Sequence, residues 1–289
     1  MHLSDGPIDL IITLAGRRGQ VAAAREAAIE RFVTVLAELV SELPALRQPI
    51  REESSFIGPV ARRMAVAVQL FLPGFVTPMA AVAGAVADEI LSVMLLDADL
   101  DKAIVNNGGD IAFHLGPGET LSAGLVTGPP IPGRGLDGTV SVNAADGIGG
   151  IATSGRHGRS FSLGVADAVS VLARDAAHAD VAATLIANAV NVDSGMVERR
   201  PASTLDPDSD LGDRPVTVNV GMLGADEVDI ALGAGLVCTR DFIGRGLIDA
   251  GLLALQGEMR TAGDRLAITG IQTNGGLHGN SDPQNCIGT

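Results

Sequence analysis

Residues Gly147 to Asn191, GIGGIATSGRHGRSFSLGVADAVSVLARDAAHADVAATLIANAVN, hold the densest polar chemistry in a sequence that is otherwise small and apolar. A glycine-rich turn ends in Thr153-Ser154-Gly155, a strand is predicted over Ala168 to Ala173, and an alanine-rich helix over Ala176 to Val190. On that helix Asp180, Thr184, Asn188 and Asn191 follow one another at helical spacing, which puts them in one stripe along one face. The other faces carry Val181, Ala182, Leu185, Ile186, Ala189 and Val190. A helix that is apolar round most of its circumference is normally buried, and a buried polar group costs free energy unless it has a partner. The stripe therefore points at backbone, a metal or a ligand.

Upstream of this stretch, Asp9 to Ala15 reads as a first strand, followed by a Gly-Arg-Arg-Gly turn. Gln20 to Leu43 reads as a long amphipathic helix, with Ile29, Phe32, Leu36, Leu39, Val40 and Leu43 on the apolar face, Glu30, Arg31, Glu38 and Glu42 on the other, and an end before Pro44. Met64 to Leu70 alternates as a strand does. Met79 to Ile90 is a second helix, on which Ala81, Gly84, Ala85 and Asp88 share one side and allow close backbone approach. Ala103 to Val105 is a short strand running into Asn106-Asn107-Gly108-Gly109-Asp110. Glycines there can take positive φ and leave amides facing a ligand, and the same residues also suit a plain hairpin turn. Further strands fit Leu121 to Thr127 and Thr139 to Asn143, on either side of a Pro/Gly loop.

Downstream, Glu198 to Pro215 reads as a Pro/Asp/Ser-rich surface loop, Val216 to Val220 as a strand and Asp226 to Phe242 as a helix. Gly251 to Gln256 and Leu266 to Thr269 would be closing strands, and the tail 270–289 is rich in Gly and Asn. With no fixed-period repeat, this alternation predicts an α+β fold in which helices cover one face of mainly antiparallel sheets. A single domain over 1–289, or two closely joined halves, accommodates the length.

Composition narrows the partners. The chain is 46% hydrophobic and only 2% aromatic, without Trp or Tyr, so core volume has to come from Val, Leu, Ile, Ala and Met. A formal net charge of -14 opposes binding to nucleic acid and to anionic membrane surfaces. The N-terminal MHLSDGPIDLIITLAG lacks the basic-then-apolar pattern of a secretory signal. The apolar zone from Met64 to Leu96 is interrupted by Pro73, Gly74 and Pro78 and reaches Asp88 and Glu89, so no membrane span is expected from it. Cys238 and Cys286 lie far apart with no metal-type spacing, which fits reduced thiols in a cytoplasmic setting. Small-residue helices with broad apolar faces suggest a homo-oligomer.

Three motifs in order, NNGGDI at Asn106 to Ile111, ATSGR at Ala152 to Arg156 and HADVAATLIAN at His178 to Asn188, resemble the ApbE superfamily, whose best-known members are magnesium-dependent FAD:protein FMN transferases. The resemblance runs from about Pro78 to Gly257 and is closest to a branch of ApbE-like proteins distinct from those transferases, where SLGVADAVSVLA and ALGAGL also recur. It implies an ApbE-like fold, FAD as a ligand and Mg²⁺ held by Asp180 and Thr184. The bottom-up stripe selects the same two residues. A hard cation of this kind takes few protein oxygens and leaves room for phosphate. The resemblance further sets Asn107, Gly108, Gly109 and Asp110 against the flavin nucleotide and lines the same pocket with Thr153, Ser154 and Gly155.

The departure is local. Transferases carry a His-Ile-x-Asp-Pro-x-Thr-Gly segment after TSG, where this chain reads FSLGVADAVSV. Three functions follow: Mg²⁺-dependent transfer of FMN from FAD; action on another small anionic or heterocyclic metabolite in the same fold, with Asp180 or His157 as acid/base; or non-catalytic flavin binding. His157 stands beside Arg156 and Arg159 in a small cationic cluster suited to a phosphate or carboxylate. His178 reads as a surface residue, and Asn188 and Asn191 as structural contacts at the helix end.

Overall fold

The computed structural model describes residues 1–125 and 138–263. In chain order, the described strands are β1 (His2–Asp5), β2 (Ile8–Gly16), β3 (Leu100–Asn107), β4 (Asp110–Leu115), β5 (Thr120–Leu125) and β6 (Gly138–Asn143), then β7 (Gly150–Ser154), β8 (Ala168–Ala173), β9 (Val197–Pro201), β10 (Pro215–Val220), β11 (Ala250–Leu255) and β12 (Glu258–Ala262). The helices are α1 (Arg18–Leu46), α2 (Pro59–Gln69), α3 (Val82–Leu96), α4 (Ala176–Ala189), α5 (Ala202–Leu205) and α6 (Ala225–Gly244). One eight-stranded sheet runs β1-β2-β3-β4-β7-β8-β11-β12 with every neighbouring pair antiparallel. Two hairpins, β5–β6 and β9–β10, stand outside it. This is the α+β arrangement expected from the alternation of elements.

The middle of the sheet is covered on both faces. β8 and β11 are buried along their whole length, as continuous apolar runs such as AVSVLA require. Val169, Val171 and Ala173 of β8 join the core under the helices, while Leu172 turns to the other side with Ile151, Leu252 and the hairpin residues Leu121, Val140 and Val142. α4 packs on β7 and β8, with α3 and α6 beside it. The α3–α4 contact is close: a side chain at Gly84 would collide with the carbonyl of Ala176. This is what the small side of the second predicted helix was expected to permit.

Four local expectations are corrected. The segment Met64 to Leu70 is not a strand: it runs to the end of α2 at Gln69, with Leu70 as the C-cap. Pro59 sits at its first turn, and Val60, Ala61, Met64, Ala65, Ala67 and Val68 are buried at helical spacing, a period that the short alternation concealed. α1 continues through Pro44 to Leu46, which is fully buried. The proline forfeits one backbone bond close to the helix end, and the anchored last turn absorbs it. The buried face of α1 is also rotated, to Ala24, Ala28, Phe32, Val35 and Leu39, leaving Ile29 and Val40 exposed. Arg31 turns inward to Glu89 (2.8 Å) and Glu38 (2.7 Å), because a buried carboxylate at Glu89 needs a cation. Finally, Glu198 to Pro215 is not all loop: β9 pairs with β10, and α5 follows β9.

The apolar zone also contains a helix longer than expected. The stretch Pro78–Leu96, a 3-10 turn followed by α3, is long and apolar enough by length and composition to cross a membrane, with 56% of its apolar window buried inside the protein. Pro78 starts this helix instead of interrupting it, as proline in a first turn does. The edge strands β1 and β12 carry no clear alternation and were not anticipated. Residues 126–127 of the predicted strand, the Pro/Gly loop, the predicted strand Leu266 to Thr269, the tail 270–289 and Cys286 lie outside the described residues.

Candidate functional site

The separate motifs converge on one cavity of about 740 Å³. Its lining includes Asn107, Gly108 and Asp110 from the β3–β4 turn, Thr153, Ser154 and Gly155 from the end of β7, His157 from the following loop, and Asp180 and Thr184 from α4. Gly109 is not part of the lining.

Each group is positioned by local chemistry. Asn107 and Asp110 face each other across β3 and β4, so Gly108 and Gly109 form a two-residue hairpin turn at φ +68° and +112°, conformations that favour glycine. The plain hairpin reading and the cavity lining therefore hold together. Asn107 is buried and donates to the Ala83 carbonyl (3.1 Å), and the Asn106 side chain accepts from Gly109 N–H (2.8 Å). The Thr153 hydroxyl pairs with Ser170 (2.8 Å), while its backbone N–H donates to the Asp110 carboxylate. That bond ties the first two motifs together.

The cavity floor is a pair of carboxylates, Asp110 and Asp180. Both are half-buried, lining the cavity on one side with protein closed round the others. Burial pushes Asp110 up to about 7, against the pull of Thr153 N–H and Arg159. Asp180 lies well above the usual carboxylate range, first through burial and then through the Asp110 charge, despite hydrogen bonds from the backbone of Gly84 (3.0 Å) and Ala83. A buried carboxylate raised by the charge of a neighbouring one either holds a proton or awaits a cation.

Asp180 thus has a structural partner as well as a place at the cavity. Asn188 accepts from Leu163 N–H (2.9 Å), and Asn191 donates to the Leu163 carbonyl (3.3 Å), the structural role expected of them. Together they pin the FSLG stretch that stands where transferases carry their histidine segment.

The cationic cluster divides. Asp167 takes Arg156 (2.6 Å) and the ring of His157 (3.3 Å), while Arg159 turns back over Gly108. Arg159 has no carboxylate partner among the described residues. His178 is buried, between Asp175 (2.5 Å) and Arg174 (2.5 Å), contrary to the surface position expected of it. Its place in the first turn of α4, three residues after the Asp175 cap, brings it inward.

Sequence reasoning missed the outer rim. Arg47, Phe75, Thr77, Asp206, Asp208 and Asp210 also line the cavity. The Thr77 hydroxyl hydrogen-bonds Asp210, tying the segment after α5 to the residue that precedes Pro78. No short-range pattern links positions so far apart in the chain.

Among the described residues, no group of three or more His, Cys, Asp or Glu side chains is arranged to hold a metal ion. At the cavity floor the donors are the carboxylates of Asp110 and Asp180 and the Thr184 hydroxyl. That sparse set suits Mg²⁺, which keeps several waters and takes one or two protein carboxylates beside substrate phosphate.

This architecture and its motifs place the chain in the ApbE-like class. A family model described as AbpE bacteria matches residues 1–261. The chain belongs to that family. It is similar to a UPF0280 protein of Methanothrix thermoacetophila, 41% identical over 142 residues, covering 48% of this chain and 56% of that one. A UPF0280 protein of Methanopyrus kandleri is 33% identical over 183 residues, covering 62% of this chain and 70% of the relative. The chain thus spans little more than half the length of the first of these relatives. Among solved structures, the flavinyl transferase ApbE of Pseudomonas stutzeri in its apo form aligns over 88% of this chain and 94% of its own, at 12% identity and a TM-score of 0.45. A likeness that low carries no function across.

Proposed function

We propose that the protein is an enzyme binding a small phosphorylated ligand in this cavity, with Mg²⁺ held by Asp180 and Thr184 beside Asp110, and that FAD, with transfer of its FMN portion, is the substrate. The observation that supports this is the Asp110–Asp180 pair at the floor of a cavity also lined by Arg159. When bound there, Mg²⁺ would neutralise the paired carboxylates and polarise a pyrophosphate. The chain's own residues have distinct tasks. Asp110 and Asp180 supply negative charge at fixed positions, since backbone N–H groups hold each of them. Arg159 offers a guanidinium to phosphate oxygens. His157, with its Nε2 held by Asp167, is the group placed to accept or donate a proton at Nδ1.

A second reading, acid/base action on another anionic or heterocyclic metabolite without metal, is favoured by one feature: with Asp110 pushed up to about 7 and Asp180 well above the usual carboxylate range, the cavity floor holds carboxyl groups disposed to keep a proton. Titration with FAD, with and without Mg²⁺, followed by FMN and AMP analysis, separates the two. Mg²⁺-dependent AMP release supports the transferase. Flavin or another heterocycle turned over without metal supports the alternative, and absence of any FAD binding removes the first.

A further inference from the structure

The chain has seven phenylalanines and no other aromatic residue of the Trp or Tyr type. Phe32, Phe56, Phe71, Phe113 and Phe242 are core residues, 3–8% exposed. The remaining two, Phe75 and Phe161, stay outside the core, and both line the cavity. Phe161 is 37% exposed. The guanidinium carbon of Arg214 sits 3.4 Å above the ring centroid of Phe75, which covers one face of that ring and fixes its plane. Phe161 follows Arg159 by two residues in a loop anchored at Leu163 by Asn188 and at Ser162, whose carbonyl accepts from Thr217 (2.8 Å). Both phenylalanines that folding leaves outside the core therefore line this cavity, with Met79 and Leu163 adding apolar wall.

Sites for small molecules combine apolar and aromatic walls with a few placed polar groups. A planar ring gains from stacking on such a face whatever its substituents. We infer that Phe161 and Phe75 form a stacking subsite for the planar ring of a heterocyclic ligand, and that Phe161 makes the cavity prefer ring-bearing over ringless anions. The inference deepens the proposal of a phosphorylated ligand and rests on it for the other end of that ligand.

The test is calorimetric titration of the full chain and of Phe161→Leu and Phe161→Tyr with three kinds of probe. Riboflavin and adenosine carry a ring without phosphate, inorganic pyrophosphate with Mg²⁺ carries phosphate without a ring, and FAD carries both. The expected result is ring-probe and FAD binding about tenfold weaker in Phe161→Leu, restored in Phe161→Tyr, with pyrophosphate unchanged in all three proteins. Thermal melts confirm that the exposed position leaves folding intact, and Phe75→Leu should shift ring probes in the same direction. Ring probes that bind Phe161→Leu as well as the parent, or that fail to bind the parent while pyrophosphate binds, overturn the stacking subsite and leave the phosphate proposal standing. Ring probes that respond to Phe161 while pyrophosphate does not bind support the subsite and sink the phosphate end. Binding of no probe at all overturns both.

Discussion

Asp88 and Asp180 cap each other's helices. Asp88, in the second turn of α3, accepts from the first two N–H groups of α4, Ala176 (3.0 Å) and Ala177 (2.8 Å). Asp180, one turn into α4, accepts from Gly84 N–H at the start of α3 (3.0 Å). Each carboxylate satisfies donors that a helix start leaves unpaired and meets the positive end of its dipole. The exchange is centred on the Gly84–Ala176 approach, so backbone packing and capping depend on the same contact.

Asp88→Asn should therefore destabilise the fold. Both carboxylate oxygens are used, and an amide has only one acceptor, so its NH₂ would oppose a buried N–H. Leaving one buried donor unmet costs about 1–3 kcal/mol. A melt of the variant at pH 7 should show a midpoint several degrees lower, and an unchanged midpoint would remove Asp88 from the account of the α3–α4 contact.

The same residue predicts a pH dependence. Burial, and then the Asp175 charge, push Asp88 up to about 6, while Arg63 and the two N–H groups pull it down. Because the folded value exceeds the ordinary value of 3.8, the folded state binds more protons between the two. The stabilisation linked to this proton is complete below the lower value and lost as pH rises through about 6. The asparagine variant has no such proton. The gap in stability between parent and variant should thus widen on going from pH 7 to pH 4.5, by about 2 kcal/mol. Denaturant midpoints of the two proteins across that range measure it, and a constant gap would contradict the shift.

Much of this site was legible in sequence because its parts are short and local. The stripe on α4 follows from helical spacing alone, and β8 and α4 lie within a residue of where periodicity put them. The partner of Asp180 was not legible, since Gly84 lies 96 residues away and nothing local marks the pairing. His178 misled because histidine is amphipathic, and only the Asp175 and Arg174 contacts show why it is inside. Met64 to Leu70 misled through a short run in which two periods fit equally well. The rim residues Thr77 and Asp210 meet only in three dimensions.

Asp180→Asn separates structure from chemistry at that position. The amide oxygen can still accept from Gly84 N–H, and the acceptor lost to Ala83 N–H is offset because the substitution removes a carboxylate that burial and Asp110 already disfavour as an anion. Thermal stability at pH 7 should hold or rise, while Mg²⁺-dependent binding of FAD or pyrophosphate should be lost. A large fall in melting temperature with ligand binding intact would make Asp180 a capping residue alone.

Gly84→Ala probes the same contact from the backbone side. The added methyl would strike the carbonyl of Ala176, and backbone cannot move aside as a flexible side chain could. Overpacking of this kind costs about 1–3 kcal/mol and more where the clash is with main chain. The variant should melt well below the parent and, by spreading α3 from α4, weaken ligand binding as well. Wild-type stability would mean that the two helices are not in such close contact.

Arg159→Gln tests the charge balance of the cavity directly. Arg159 packs over Gly108, bonds only weakly to the Pro7 carbonyl (3.4 Å), and is the cation that pulls Asp110 down. Its side chain is exposed, so its loss should change stability by no more than about 0.5 kcal/mol. If it pairs with phosphate oxygens, its removal forfeits a charge-assisted hydrogen bond of about 1.5–3 kcal/mol, a loss of at least tenfold in affinity for pyrophosphate. That loss should shrink as salt is raised, because the guanidinium stands in contact with solvent. Titrations at low and high ionic strength read both effects, and equal affinity of parent and variant at low salt would take Arg159 out of phosphate recognition.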